Sequence, residues 1–171
     1  MKNSFISTSR VIWFILVIIW MSVIFSFSAK EAEESTEESM NFGRIVCSIF
    51  VPGYDNLTDD EQYELAKDIE YPIRKCAHAA EYMLLGLLLA GALYVSSNSK
   101  MWNVLFPFCI GSVYSVTDEL HQFFVPGRSC RFTDILIDSF GIIVGVVIYY
   151  KITKVCSSYF MRSKSQTGGI E

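Results

Sequence analysis

Charge is nearly absent from four stretches of this 171-residue chain. Val11 to Phe27 and Met101 to Thr117 contain no acidic or basic residue, Ala79 to Val95 contains only Glu81, and Ile135 to Tyr150 contains only Asp138. A helix needs about 20 predominantly apolar residues to cross a bilayer core, so four such runs leave little room for a separate soluble domain. Other absences narrow the function. No glycine-rich nucleotide loop, serine-nucleophile elbow or zincin motif occurs, which disfavours the soluble enzyme classes built on them. Nothing points to nucleic acid. No internal repeat is evident. The first apolar run follows Lys2 and Arg10 as a signal peptide would, but it has no small-x-small cleavage site after it and exceeds a typical signal core, so it reads as a retained anchor. The five cysteines have no paired metal spacing. Cys47, Cys76 and Cys130 fit either a disulfide in an oxidising compartment or free apolar side chains.

These runs predict an all-α fold: an integral membrane bundle of four transmembrane helices, with spans at about 11–27, 76–95, 101–117 and 134–150. An extracellular loop containing short amphipathic helices would join the first two. The whole chain, 1–171, is expected to form one domain, with its core at about 11–150. Of the 18 acids, 12 lie between Lys30 and Lys75, whereas the C-terminal tail carries Lys151, Lys154, Arg162 and Lys164 against Glu171 alone. Lysine and arginine in short flanks favour the cytoplasm, which puts both termini and the Lys100 loop inside. Lys67, Arg74, Lys75, Arg128 and Arg131 then fall outside, against the rule, and some of them are candidates for a site instead.

The acidic stretch Lys30 to Ser39 reads as solvated. Phe42, Ile45, Val46, Ile49 and Phe50 recur at helical spacing, the pattern of an amphipathic helix on the membrane surface or over the bundle. Pro52-Gly53 would stop it. Thr58-Asp59-Asp60-Glu61 has capping-box form and predicts a polar helix to about Glu70, with Pro72 marking the entry to the second span. Pro126-Gly127 suits a type II turn.

Three spans carry ionisable residues at one end, and an alternating path puts those ends on the same side. The second opens with Lys75, His78, Glu81 and Tyr82. The third closes with Asp118, Glu119 and Gln122. The fourth opens with Asp134 and Asp138. Such residues inside a membrane usually pair with one another or line a polar cavity. On the fourth span Asp134, Asp138, Gly141 and Gly145 share about a 60° arc, so the stripe that allows close helix approach also carries both acids. His121 points elsewhere if the third helix continues. His78, Asp118, Glu119 and Asp134 are the candidates for acid–base chemistry. Lys75, His78, Glu81, Tyr82, Asp118, Glu119, Gln122, Arg128, Asp134 and Asp138 are the candidates for ligand binding, with Arg128 and Lys75 suited to a phosphate. The carboxylates also suit a divalent cation. A buried ion-pair network that only holds the bundle, or a small transporter, are the alternatives.

The same residues resemble the VanZ-like family of bacterial membrane proteins. Lys75, His78 and Tyr82, then Asp118-Glu119, Gln122 and Pro126-Gly127-Arg128, then Asp134, Gly141 and Gly145 follow its pattern, and Ser28, Ser35 and Ser39 echo it. Asp138 departs from it, standing where asparagine is commoner. The resemblance implies a multi-span protein of the bacterial cell membrane. It also implies a link to low-level resistance to the lipid-tailed glycopeptide teicoplanin, as associated with the founding member. Membrane lipids, a lipid-linked cell-wall precursor or a lipoglycopeptide are then the expected partners.

Overall fold

The computed structural model describes residues 2–94 and 99–167, and among them every regular element is helical. Five α-helices follow in order: α1 (Lys2–Ser28), α2 (Ala32–Phe50), α3 (Asp59–Leu93), α4 (Lys100–Gln122) and α5 (Phe132–Thr167), with one 3-10 turn, Tyr54–Asn56, before α3. Glu171 and the loop at 95–98 lie outside the described residues, as do the side chains of Lys2, Lys100, Arg162 and Lys164, on which part of the topology reading rests. Among the described residues three helices are long and apolar enough to cross a membrane: Arg10–Ser28, Asp59–Leu93 and Phe132–Tyr159. Only 17% of α1's most apolar window is buried, so most of its side chains face outward while Val17 and Ile24 enter the core. At 23 residues α4 has the length, but Asn103, Pro107, Tyr114 and Ser115 dilute its hydropathy and it is not among the three.

The acidic stretch from Lys30 is solvated, with Glu31, Glu33, Glu34, Glu37 and Glu38 exposed, and it is also helical: α2 begins at Ala32 and runs for 19 residues. Glu33 and Glu34 sit in its first turn, where the helix dipole favours negative charge, and Lys30 pairs with Glu34 and Glu38. One local expectation is corrected: Pro72 does not divide a polar helix from a span. One 35-residue helix runs through it, since a proline removes a single backbone donor and the surrounding turns keep theirs. The start of that helix follows the sequence. Glu61 N–H donates to the Thr58 hydroxyl at 3.4 Å, and Thr58 N–H donates to the Glu61 carboxylate at 2.9 Å.

The frame of the bundle is the α3–α5 crossing, and glycines set its closeness. A methyl group on Gly141 or Gly145 would overlap the backbone carbonyls of Ala79 or Met83, and one on Gly86 would overlap that of Ile142. Ile142 is thereby wedged between Gly86 of α3 and Gly111 of α4. The buried core, with Ile24, Tyr82, Leu85, Leu89, Ile142 and Val146, surrounds this crossing. Trp20 ties α1 to α3 by donating to Glu81 O at 2.9 Å, and Tyr114 ties α4 to α1 by donating to Met21 O at 2.6 Å.

Helix α2 lies against α3 through a face the sequence did not single out. Gly43 and Cys47 are buried there, Gly43 beside Ala66. Its apolar stripe is turned away, with Phe42, Ile45, Ile49 and Phe50 all exposed. All five cysteines are free thiols, with only Cys47 buried.

Candidate functional site

The polar ends of α3, α4 and α5 meet, and their carboxylates fall into two layers. In the outer layer Lys75 of α3 pairs with Asp134 of α5 at 2.5 Å. Glu119 of α4 accepts the Arg131 backbone N–H at 3.0 Å, satisfying one of the donors that the start of α5 leaves without a helical partner. Arg74 pairs with Glu70 one turn away at 3.1 Å and donates to Thr36 of α2 at 3.3 Å. The inner layer has only neutral partners. Asp118 Oδ2 accepts from Ser28 at 2.7 Å, Tyr82 at 3.1 Å and Gln122 at 3.3 Å. Asp138 Oδ2 accepts from Ser115 at 2.7 Å. The other oxygen of each, Oδ1, is buried without a hydrogen-bond partner.

Between the layers and α2, the loop after α4 closes the site. Arg128 N–H donates to Val125 O at 3.1 Å, and Gly127 takes φ 72°, the positive value the expected turn requires of its third residue. The turn seats Gly127 against Ala32, at the start of α2. It also directs the Arg128 guanidinium inward, where it donates to Lys30 O at 3.1 Å, Phe27 O at 3.4 Å and Gln122 Oε1 at 3.4 Å. Burial and then the adjacent Arg74 charge lower the Arg128 pKa from its ordinary value, while Asp118, Glu119 and Glu81 oppose the shift.

Two cavities adjoin here. The larger, about 620 Å³, lies between α2 and α3; Phe42, Val46, Ile69 and Ile73 give it apolar walls, and Arg74, His78, Glu81 and Arg128 form its polar end. Ser35 and Ser39 also line it. The smaller, about 260 Å³, is a polar chamber bounded by Arg74, Lys75, His78, Arg128, Arg131 and Asp134. Arg74, His78 and Arg128 belong to both walls.

The candidates therefore separate by position. Lys75, His78, Gln122, Arg128 and Asp134 line the chamber, and Glu81 lines the apolar cavity, 4.0 Å from His78. Tyr82, Asp118, Glu119 and Asp138 line neither and are buried in the layers described above. Asp138 bonds Ser115 and not Lys75, whose partner is Asp134. Among the described residues no three His, Cys, Asp or Glu side chains are grouped to hold a metal ion. His121 turns away, its ring 4.4 Å from that of Phe25. Sequence reasoning passed over Ser115 and left Arg74 and Arg131 as mere neighbours. The two arginines were visible as bases on the side where the charge rule did not expect them, but one serine in an apolar run carries no signal.

A family model described as VanZ/LLP1 matches residues 13–155, from α1 to the middle of α5. The chain belongs to the VanZ/LLP1 family. No curated protein and no solved structure matches it. VanZ/LLP1 membership and three helices able to cross a bilayer together make this a membrane protein. The matched residues include those of both cavities and both carboxylate layers.

Proposed function

We propose that this VanZ-like protein crosses the cell membrane four times, with α4 as the additional span and both termini in the cytoplasm. Its paired cavities would then sit at the outer membrane–water edge and bind, or act on, an envelope lipid or a lipid-tailed glycopeptide. The observation that carries this reading is the apolar cavity of about 620 Å³ that ends in Arg74, His78, Glu81 and Arg128. Ligand sites are commonly apolar clefts of this size with a few convergent polar groups. A lipid tail suits the walls between α2 and α3, and a polar headgroup suits the end. The exposed stripe of α2, with Phe42 on its margin, would lie against the lipid and keep the cavity mouth at the leaflet surface.

A second reading, an architectural one, is favoured by the closed Lys75–Asp134 and Arg74–Glu70 pairs, which need no ligand. The two readings part on Val46, a cavity wall residue that takes part in no ion pair. Cells producing wild-type protein or Val46→Trp at matched membrane abundance are compared for tolerance of teicoplanin and of vancomycin, which lacks the lipid tail. Tolerance of teicoplanin alone, lost when the tryptophan fills the cavity, is the expected result. Equal protection by both proteins would remove the cavity from the function. No protection by either would end the drug connection for this chain.

A further inference from the structure

We propose that the polar chamber is a phosphate monoester site, so that the ligand of the paired cavities is a lipid ending in a phosphate. This rests on the lipid reading above and adds the headgroup. The first ground is charge. Arg74, Lys75, Arg128 and Arg131 surround the chamber, and Asp134 is the one carboxylate in its wall among the described residues. Lys75 is balanced by Asp134 and Arg74 by Glu70. Arg128 and Arg131 have no ion pair among the described residues; their side chains donate to neutral oxygens. Two guanidinium groups of the chamber wall are thus without an ion pair, and the carboxylates whose charge reaches Arg128, those of Asp118, Glu119 and Glu81, line no part of the chamber. A phosphate monoester carries about −1.5 to −2 at neutral pH and supplies several acceptor oxygens, whereas the diester of an ordinary phospholipid carries about one negative charge.

The second ground is preorganisation. Arg128 makes three hydrogen bonds, to Lys30 O, Phe27 O and Gln122 Oε1, through three of the five N–H donors that a guanidinium has. The side chain is held in place while two donors stay available. An arginine fixed in this way loses little conformational entropy on meeting an anion and can present a forked pair of donors to it. The third ground is continuity. Arg74, His78 and Arg128 stand in the walls of both cavities, so one molecule can place its anion on the cationic side and its hydrocarbon on the apolar side. A free inorganic phosphate would use only the first of these surfaces.

The test uses the full-length protein, purified in detergent and read by intact-complex mass spectrometry. Phosphatidic acid, which ends in a monoester, is compared with phosphatidylglycerol and phosphatidylcholine, both diesters, and with inorganic phosphate. Phosphatidic acid is expected to bind at least about tenfold more tightly than either diester, the effect of one charged hydrogen-bond set. Arg128→Ala should remove that preference. Because Arg128 also holds the loop, Arg131→Gln provides the second variant: its side chain is exposed, and its backbone bond to Glu119 survives the substitution. It should reduce the preference by about tenfold with an unchanged melting temperature. Lys67→Ala, which alters a base paired with Glu64 and lining neither cavity, should change nothing. Equal binding of the three lipids would overturn the monoester assignment and leave the lipid reading intact. Inorganic phosphate bound as tightly as phosphatidic acid, with Val46→Trp without effect, would make the chamber a free-phosphate site. Binding of none of these lipids would overturn the lipid reading itself.

Discussion

Asp134 and Asp138 stand one helical turn apart on α5, yet their surroundings differ in kind. Asp134 faces Lys75 at the wall of a polar chamber. Asp138 faces Ser115 in the bundle and leaves one oxygen with no partner. The same contrast separates Glu119, which receives a backbone N–H at the start of α5, from its neighbour Asp118, which gathers three neutral donors on a single oxygen. Ion pairs at the chamber and hydroxyl or amide bonds beneath it serve different ends. A cation next to solvent can exchange its partner for a ligand's anion. A serine hydroxyl in the interior can only fix a side chain in place. The outer layer is thus suited to recognition, and the inner layer to holding α1, α4 and α5 in register below it.

The largest test removes what both layers hang on. Gly145→Leu would drive a side chain into the Met83 backbone carbonyl, which cannot move aside as a flexible side chain could. We expect a loss of more than about 3 kcal/mol, seen as absence of folded protein in membranes. Next, Lys75→Met leaves Asp134 unpaired at 12% side-chain exposure, and should cost about 3 kcal/mol in detergent unfolding. The double variant Lys75→Met/Asp134→Leu should recover most of this; a double variant as unstable as the single one would mean that the pair itself, and not the stranded charge, stabilises the outer layer. Tyr82→Phe removes one of three donors to Asp118 and should cost about 1 kcal/mol. A loss as large as that of Lys75→Met would erase the distinction between layers. The smallest effect belongs to Asp138→Asn, which keeps an acceptor for Ser115 and removes a charge with no cation opposite. Its unfolding free energy should stay within about 1 kcal/mol of wild type, on the stable side.

Much of this arrangement was legible in the sequence because it depends on local rules. The Thr58 capping box, the Pro126-Gly127 turn and the Gly141/Gly145 stripe each follow from spacing over four or five residues. The gathering of ionisable residues at one end followed from counting spans, which requires only that a chain alternate sides. What escaped depends on contacts between distant segments. The helical state of the acidic stretch after Lys30 comes from ion pairs along α2 and from the seat that Pro126-Gly127 gives its first turn, neither of which composition records. The buried face of α2 was missed because Gly43 and Cys47 are small, and hydrophobic periodicity weighs large residues. The chamber's surplus of charge needed knowledge of which bases already had partners.

The α3–α5 crossing joins backbone to backbone, while α2 is held by the Gly43 and Cys47 face, by Thr36 to Arg74, and by the turn at Gly127. The guanidinium of Arg128 reads the backbone just ahead of α2 through two carbonyls, Phe27 and Lys30. Any outward swing of α2 wide enough to admit a chain would pull on those carbonyls and so be felt by the chamber. On the lipid reading, entry on one side and grip on the other would be steps of a single motion, in which the segment that gives way to the tail also adjusts the hand that receives the head.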